Sequence, residues 1–169
     1  MEYQIERARG ITNRGNLGRL KNLMKRARAG ERLVIGFIGG SITQGANSSG
    51  WKQCYAYRVF EWWAKTFPPA EFVYLNAGIG GTTSQFGVAR ADEDLLKYAP
   101  DFVIVEFSVN DESTVHFLET YEGLVRKIYN SGSRPAVLLV HNVRYDTGAN
   151  AQIQHSKVGR HYDLPPTIF

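Results

Sequence analysis

Two rhythms of apolar residues alternate along the chain. In LGRLKNLMKRARA, Leu17, Leu20, Met24 and Ala27 recur at helical spacing; Asn16 is a plausible N-cap and Gly30 a stop, so an amphipathic helix is predicted there. LVIGFI at 33–38 is instead a continuous apolar run of strand length. From Tyr55 to Phe67 the helical rhythm returns, with Tyr55, Val59, Trp62 and Trp63 on one side, and Pro68 and Pro69 end it. EFVYLNAG predicts a second strand, VARADEDLLKYA a helix closed by Pro100, and PDFVIVEFSVND a third strand. ETYEGLVRKIYN gives a helix with Tyr121, Leu124, Val125 and Ile128 together, and RPAVLLVHN a fourth strand. Beyond Val143 the pattern fades. Weak helical character runs from Ala149 to Val158, a short strand is expected at His161 to Leu164, and no closing helix follows.

Continuous apolar strands separated by helix-length segments predict a parallel sheet covered on both faces, a three-layer α/β/α sandwich. Right-handed crossovers put every strand-to-helix loop on one rim, at the carboxyl ends of the strands. Four polar loops then converge: GGSITQG, GIGGTTS, SVND and HNVRYD. The pattern supplies no final strand beyond Ala136–Val140, which is expected to form an unprotected edge and to favour a homo-oligomer.

Composition narrows the function classes. At 169 residues, 43% hydrophobic and 21% charged, the chain suits one soluble domain spanning 1–169 and excludes disorder as its main state. The single cysteine, Cys54, excludes an internal disulfide and lacks the paired spacing of a zinc site. Residues 1–32 carry nine Lys/Arg against three Glu. No aromatic platform is interleaved with them, so the basic helix is read as a solvated face and no nucleic acid is expected. MEYQIERARG has charges where a signal peptide is apolar, and no stretch approaches eighteen apolar residues; a cytoplasmic protein without membrane contact is expected.

GGSITQG, directly after the most apolar strand, is the first candidate for chemistry. A phosphate cradle of the Walker type needs a lysine that Gln44-Gly45-Ala46 lacks, and in the dinucleotide fingerprint begun by Gly78 and Gly80 the third glycine is replaced by Thr83. A serine on a sharp glycine turn after a strand, however, can expose its hydroxyl while its own N–H faces a carbonyl oxygen. Ser41 meets that description. For a lone Gly-Gly-Ser an ordinary turn explains the residues as well, just as an Asx turn explains a lone Asn110-Asp111.

GGSIT after the first strand, NAGIGGTTS after the second and SVND after the third together resemble, in order and spacing over residues 33–140, the first three sequence blocks of the SGNH (GDSL-type) esterase and lipase superfamily. The resemblance implies a flavodoxin-like fold and a serine esterase mechanism on a small acyl ester, such as an acetylated carbohydrate, with no cofactor and no metal. Position by position it implies Ser41 as nucleophile, and an oxyanion hole from Ser41 N–H, the N–H of Gly81 and the side-chain amide of Asn110. GGS stands in place of the commoner GDS, and Ser108 where the third block usually has glycine. The family's fourth element, D-x-x-H, is absent: none of His116, His141, His155 and His161 has an aspartate three residues earlier. Either the chain is C-terminally shortened, lacking its last strand and helix, or one histidine substitutes as base. His141, ending a strand on the correct rim, is the best placed of the four, although a lone histidine there is more often structural. The rival functions are an acyl- or anion-binding domain that has lost turnover, and a flavodoxin-like nucleotide-binding domain. Trp62 and Trp63 are read as packing residues rather than a sugar platform, and Asp92, Glu93 and Asp94 as an acidic run at a helix start, explained by the helix dipole rather than by a metal site.

Overall fold

The computed structural model describes residues 10–144 and 146–168. Its elements are α1 (Gly18–Arg28), β1 (Arg32–Gly39), α2 (Ser41–Gln44), α3 (Tyr55–Thr66), β2 (Glu71–Gly78), α4 (Ser84–Asp94), β3 (Phe102–Glu106), α5 (Val115–Tyr129), β4 (Ala136–His141), α6 (Gln152–His161) and β5 (Pro166–Ile168). All five strands are parallel, in the order β2-β1-β3-β4-β5. This is the flavodoxin-like order, in which the chain leaves β1 towards one side and returns as β3 on the other.

Alternation within the strands sorts side chains to the two faces. Phe102 and Ile104 of β3 join Leu33, Ile35 and Phe37 of β1 beneath α1 and α3. Val103 and Val105 face the other way and pack with α4, α5 and α6 through Ala91, Tyr121, Leu124, Ile128 and Val158. β3 is buried along its whole length, as a central strand covered on both faces must be. On the first face the layer is incomplete. A groove of about 590 Å³ lies between α1 and α3, floored by Phe102, Ile104, Leu138 and Val140.

Several boundaries move. In α1 Leu23 and Ala27 are buried and Leu20 and Met24 pack partly buried against the same core, whereas Leu17 is exposed and is itself the residue before the helix. Asn16 still caps locally, its Oδ1 accepting the Gly18 N–H at 2.8 Å. The helix predicted at 88–99 begins earlier, at Ser84, and breaks after Asp94 into a short 3₁₀ turn at Leu96–Tyr98, so Asp92, Glu93 and Asp94 end the helix instead of starting it and are paired with Lys127, Lys97 and Arg90.

The C-terminal expectations need correction. A last strand is present: β5 pairs with β4, Leu139 opposite Pro166 and His141 opposite Ile168. The residues expected as a strand at 161–164 instead finish α6 and turn the chain, with Asp163 in the left-handed region at φ 50°. No helix follows β5 among the described residues. With β4 paired on both sides, the basis for a homo-oligomer through its edge is gone. The outer side of β5 is itself met by residues 12–16: Thr12 N–H donates to Pro166 O at 3.4 Å, Asn13 Nδ2 to Leu164 O at 3.1 Å and Asn16 N–H to Asp163 O at 2.6 Å.

Candidate active site

The point where strand order reverses lies between the carboxyl ends of β1 and β3, and open α/β sheets leave a crevice there. Ser41 is the second residue after β1 and Asn110 the fourth after β3. Ser41 opens the short helix α2 and is half-buried. That helix is anchored to the neighbouring strand: Asn76 Nδ2 donates to Thr43 O at 2.8 Å, and Gln44 Oε1 accepts the Gly80 N–H at 2.8 Å. The second bond holds GIGGTT against the serine turn. A β-carbon at Gly80 would stand 3.6 Å from Ser41 Cβ.

Asn110 meets the same turn from the other side. A β-carbon at Gly40 would lie 2.6 Å from Asn110 Oδ1 and 3.5 Å from Thr82 O, so glycine before the serine makes room for the asparagine and the second loop together. Gly81 adopts φ 71°, a left-handed turn that glycine enters without strain. Neither the Ser41 nor the Gly81 N–H donates to another described residue. Ser108 also has a local reason: its hydroxyl donates to Asn142 O at 2.8 Å, joining the loop after β3 to that after β4.

Beneath these loops is a buried polar layer that the sequence did not single out. Glu106, the last residue of β3, has no exposed surface; Thr43 Oγ1 reaches its Oε2 at 3.3 Å and Tyr55 OH at 2.8 Å. Burial pushes the Glu106 carboxyl up to about 7, against the opposing pull of the Asn142 amide and the Thr43 hydroxyl. The sequence signal was a carboxylate inside VIVEF, an otherwise apolar run. Asp111 accepts the Ser84 N–H at 2.9 Å and the His155 Nε2–H at 3.0 Å, with both side chains fully buried.

None of the four histidines shares a hydrogen bond with Ser41. His141 is fully buried, with neither ring nitrogen hydrogen-bonded, and burial followed by the neighbouring His155 ring 5.9 Å away lowers its pKa to about 3. His155 is stacked on Tyr121, centroids 3.5 Å apart, and burial lowers its pKa although Asp111 pulls the other way. His116 is exposed and lies 3.4 Å from Gln85 Oε1, while His161 is exposed beside Tyr162. Among the described residues, no group of three His, Cys, Asp or Glu side chains is arranged to hold a metal ion, and no helix is long and apolar enough to cross a membrane.

A parallel sheet in this order, with a serine turn, a glycine loop and an asparagine gathered at its reversal point, defines an SGNH-type α/β/α protein. The family model of the GDSL-like lipase/acylhydrolase family matches residues 37–162, and the chain belongs to that family. Among solved structures it is similar to a two-domain esterase (CEX) active on acetylated mannans, co-crystallized with mannopentaose. Identity there is 66% and the TM-score 0.97, over 99% of this chain and 46% of that one. The chain thus spans about half the length of that relative. Fold alone is shared with AlinE4, an SGNH-hydrolase family esterase (19% identity, TM-score 0.62, 80% of this chain and 75% of that one). The same holds for the psychrotrophic esterase EstA from Pseudoalteromonas sp. (16%, 0.64, 80% and 76%). No curated protein sequence matches the chain.

Proposed function

We propose that the chain carries the nucleophile and oxyanion hole of a serine esterase that removes acetyl groups from a polysaccharide of the mannan type. The observation that carries the reading is the meeting of three loops at Gly40: the serine turn, the loop of Gly81 and the side chain of Asn110. The substrate class rests on the 66% identity to the esterase active on acetylated mannans.

In the reaction, Ser41 Oγ forms a bond to the acetyl carbonyl carbon and its proton passes to a general base. The carbonyl oxygen becomes an oxyanion, held by Ser41 N–H, Gly81 N–H and Asn110 Nδ2; three neutral donors fixed beforehand stabilise it without a metal. Collapse breaks the carbon–oxygen bond to the sugar, whose oxygen takes the proton back. Water then attacks the acetyl-serine by the same route, releasing acetate. We place the base outside these residues, because His141 and His155 are sealed in the core and neither His116 nor His161, both exposed, shares a hydrogen bond with Ser41.

That last point also favours a second reading of the chain by itself, an acyl-binding pocket with little turnover. A fluorophosphonate probe and acetate release from acetylated mannan oligosaccharides separate the two. Labelling of the chain that disappears in Ser41→Ala is expected, with faint acetate release from the 169-residue chain and rapid release from the longer protein. Removal of a triad member in serine hydrolases leaves only about 10³–10⁴-fold acceleration over water. Labelling that persists in Ser41→Ala would refute the nucleophile assignment, and faint release from the longer protein too would leave the binding pocket.

A further inference from the structure

The two loops that carry Gly81 and Asn110 come from different crossovers, and a single buried side chain joins them. Asp111 is the residue directly after Asn110. Its own N–H and that of Asn110 both donate to Phe107 O, at 2.9 and 3.0 Å, so the turn 107–111 is closed on itself and the Asp111 carboxylate points inward. One oxygen takes the N–H of Ser84, the first residue of α4. The residue before α4, Thr83, contributes no side-chain cap of its own, so Asp111 supplies from across the sheet the acceptor and negative charge that a helix start calls for. Only Thr82 and Thr83 separate that helix start from Gly81.

The second oxygen is held by α6. His155 Nε2 donates to it at 3.0 Å, and the imidazole cannot swing because it lies flat on Tyr121, with 3° between the ring planes. α6 is in turn tied to the same turn by Ala151 N–H donating to Ser108 O at 2.8 Å. Ser84 Oγ and Thr120 Oγ1, 2.8 Å apart, join α4 to α5. The carboxylate therefore sits at the meeting point of three helices and the loop after β3, with no exposed side-chain surface.

We propose that Asp111, oriented by His155, is the positioning residue of the oxyanion hole, fixing the Gly81 loop and Asn110 at one separation. The proposal rests on the assignment of Gly81 and Asn110 as oxyanion donors. It makes Asp111 neither an acid nor a base in the reaction; its part is to hold two donors that would otherwise belong to independently moving loops. A donor displaced by about 1 Å can cost on the order of 10²-fold in rate, so a clamp of this kind acts without touching substrate.

Three variants test it: Asp111→Ala removes the clamp, Asp111→Asn keeps an acceptor for Ser84 and can pair with the other tautomer of His155, and His155→Phe keeps the stack on Tyr121 but removes the donor. Amide hydrogen exchange is followed at Gly80, Asn110 and Ile104, together with the rate at which a fluorophosphonate labels Ser41. Expected for Asp111→Ala is faster exchange at Gly80 and Asn110 with Ile104 in the core unchanged, and labelling slowed roughly 10–100-fold. Asp111→Asn should restore both, and His155→Phe should fall between. Unchanged exchange at Gly80 and Asn110, or acceleration that reaches Ile104 equally, overturns the clamp, the latter by showing a merely structural carboxylate. If wild type is not labelled at all, the missing base is sufficient reason for it, and the exchange data alone decide whether Asp111 joins the loops.

Discussion

At the scale of single residues, the two positions that depart from the family's usual motifs each make a close contact on the rim. Gly40 gives its side-chain volume to Asn110, and Ser108 replaces a glycine because its hydroxyl ties two rim loops through Asn142 O. The first of these makes a coupled prediction. Asn110→Ala should slow labelling of Ser41 by roughly 10²–10³-fold, the usual cost of one oxyanion donor. Gly40→Ala places a methyl 2.6 Å from Asn110 Oδ1, so it should act by displacing that amide. Its effect in wild type should largely vanish in the Asn110→Ala background, whereas additive losses in the double variant would show that Gly40 matters for another reason.

Among the elements, α3 shows how neighbouring residues of one type divide their work. Trp63 is 2% exposed and packs on Phe67, Phe72 and Phe102, its ring stacked on Phe67 at a centroid distance of 5.3 Å. Trp62 is 50% exposed and borders the apolar groove. Trp63→Ala should therefore destabilise the fold by about 3–5 kcal/mol, the usual cost of deleting a buried large aromatic. Trp62→Ala should cost well under half of that, because it removes little buried surface. Urea midpoints of the two variants check the difference, and equal losses would contradict the docking of α3 through Trp63.

For the whole molecule, the buried layer under the site sets a pH dependence of stability. Glu106 has a carboxyl raised to about 7 in the folded state, so the folded chain binds its proton more tightly than the unfolded one. That contribution is fully present below the ordinary carboxylate range near pH 4.5 and is lost as pH rises through about 7. His141 and His155 have the opposite sign of protonation: both are held neutral, and stability falls as pH drops below their ordinary 6.5, towards about 3 for His141. Glu106→Gln cannot ionise. Its stability relative to wild type should rise between pH 5 and pH 8 by on the order of 3 kcal/mol, read from urea titrations at the two pH values. A constant difference would mean that Glu106 is not held protonated by burial.

What the sequence determined by itself was whatever depends on short-range periodicity. Four apolar runs of strand length, the helical stripes between them and the glycine-rich loops at their ends were enough for a parallel three-layer fold and for gathering Ser41, Gly81 and Asn110 on one rim. The end of the chain was not legible, because Pro166–Ile168 is too short to show a period and becomes a strand only by pairing with β4. The polar layer was equally hidden. Glu106, Asp111, His141 and His155 are scattered over 50 residues; Glu106 inside VIVEF and His141 at the end of AVLLV carry a local signal, but nothing in the sequence joins the four into one layer. Only the crossovers that bring the loop after β3, the start of α4 and the face of α6 together bury them, and burial rather than sequence spacing is what gives a carboxylate a raised pKa and an aspartate two helices to hold.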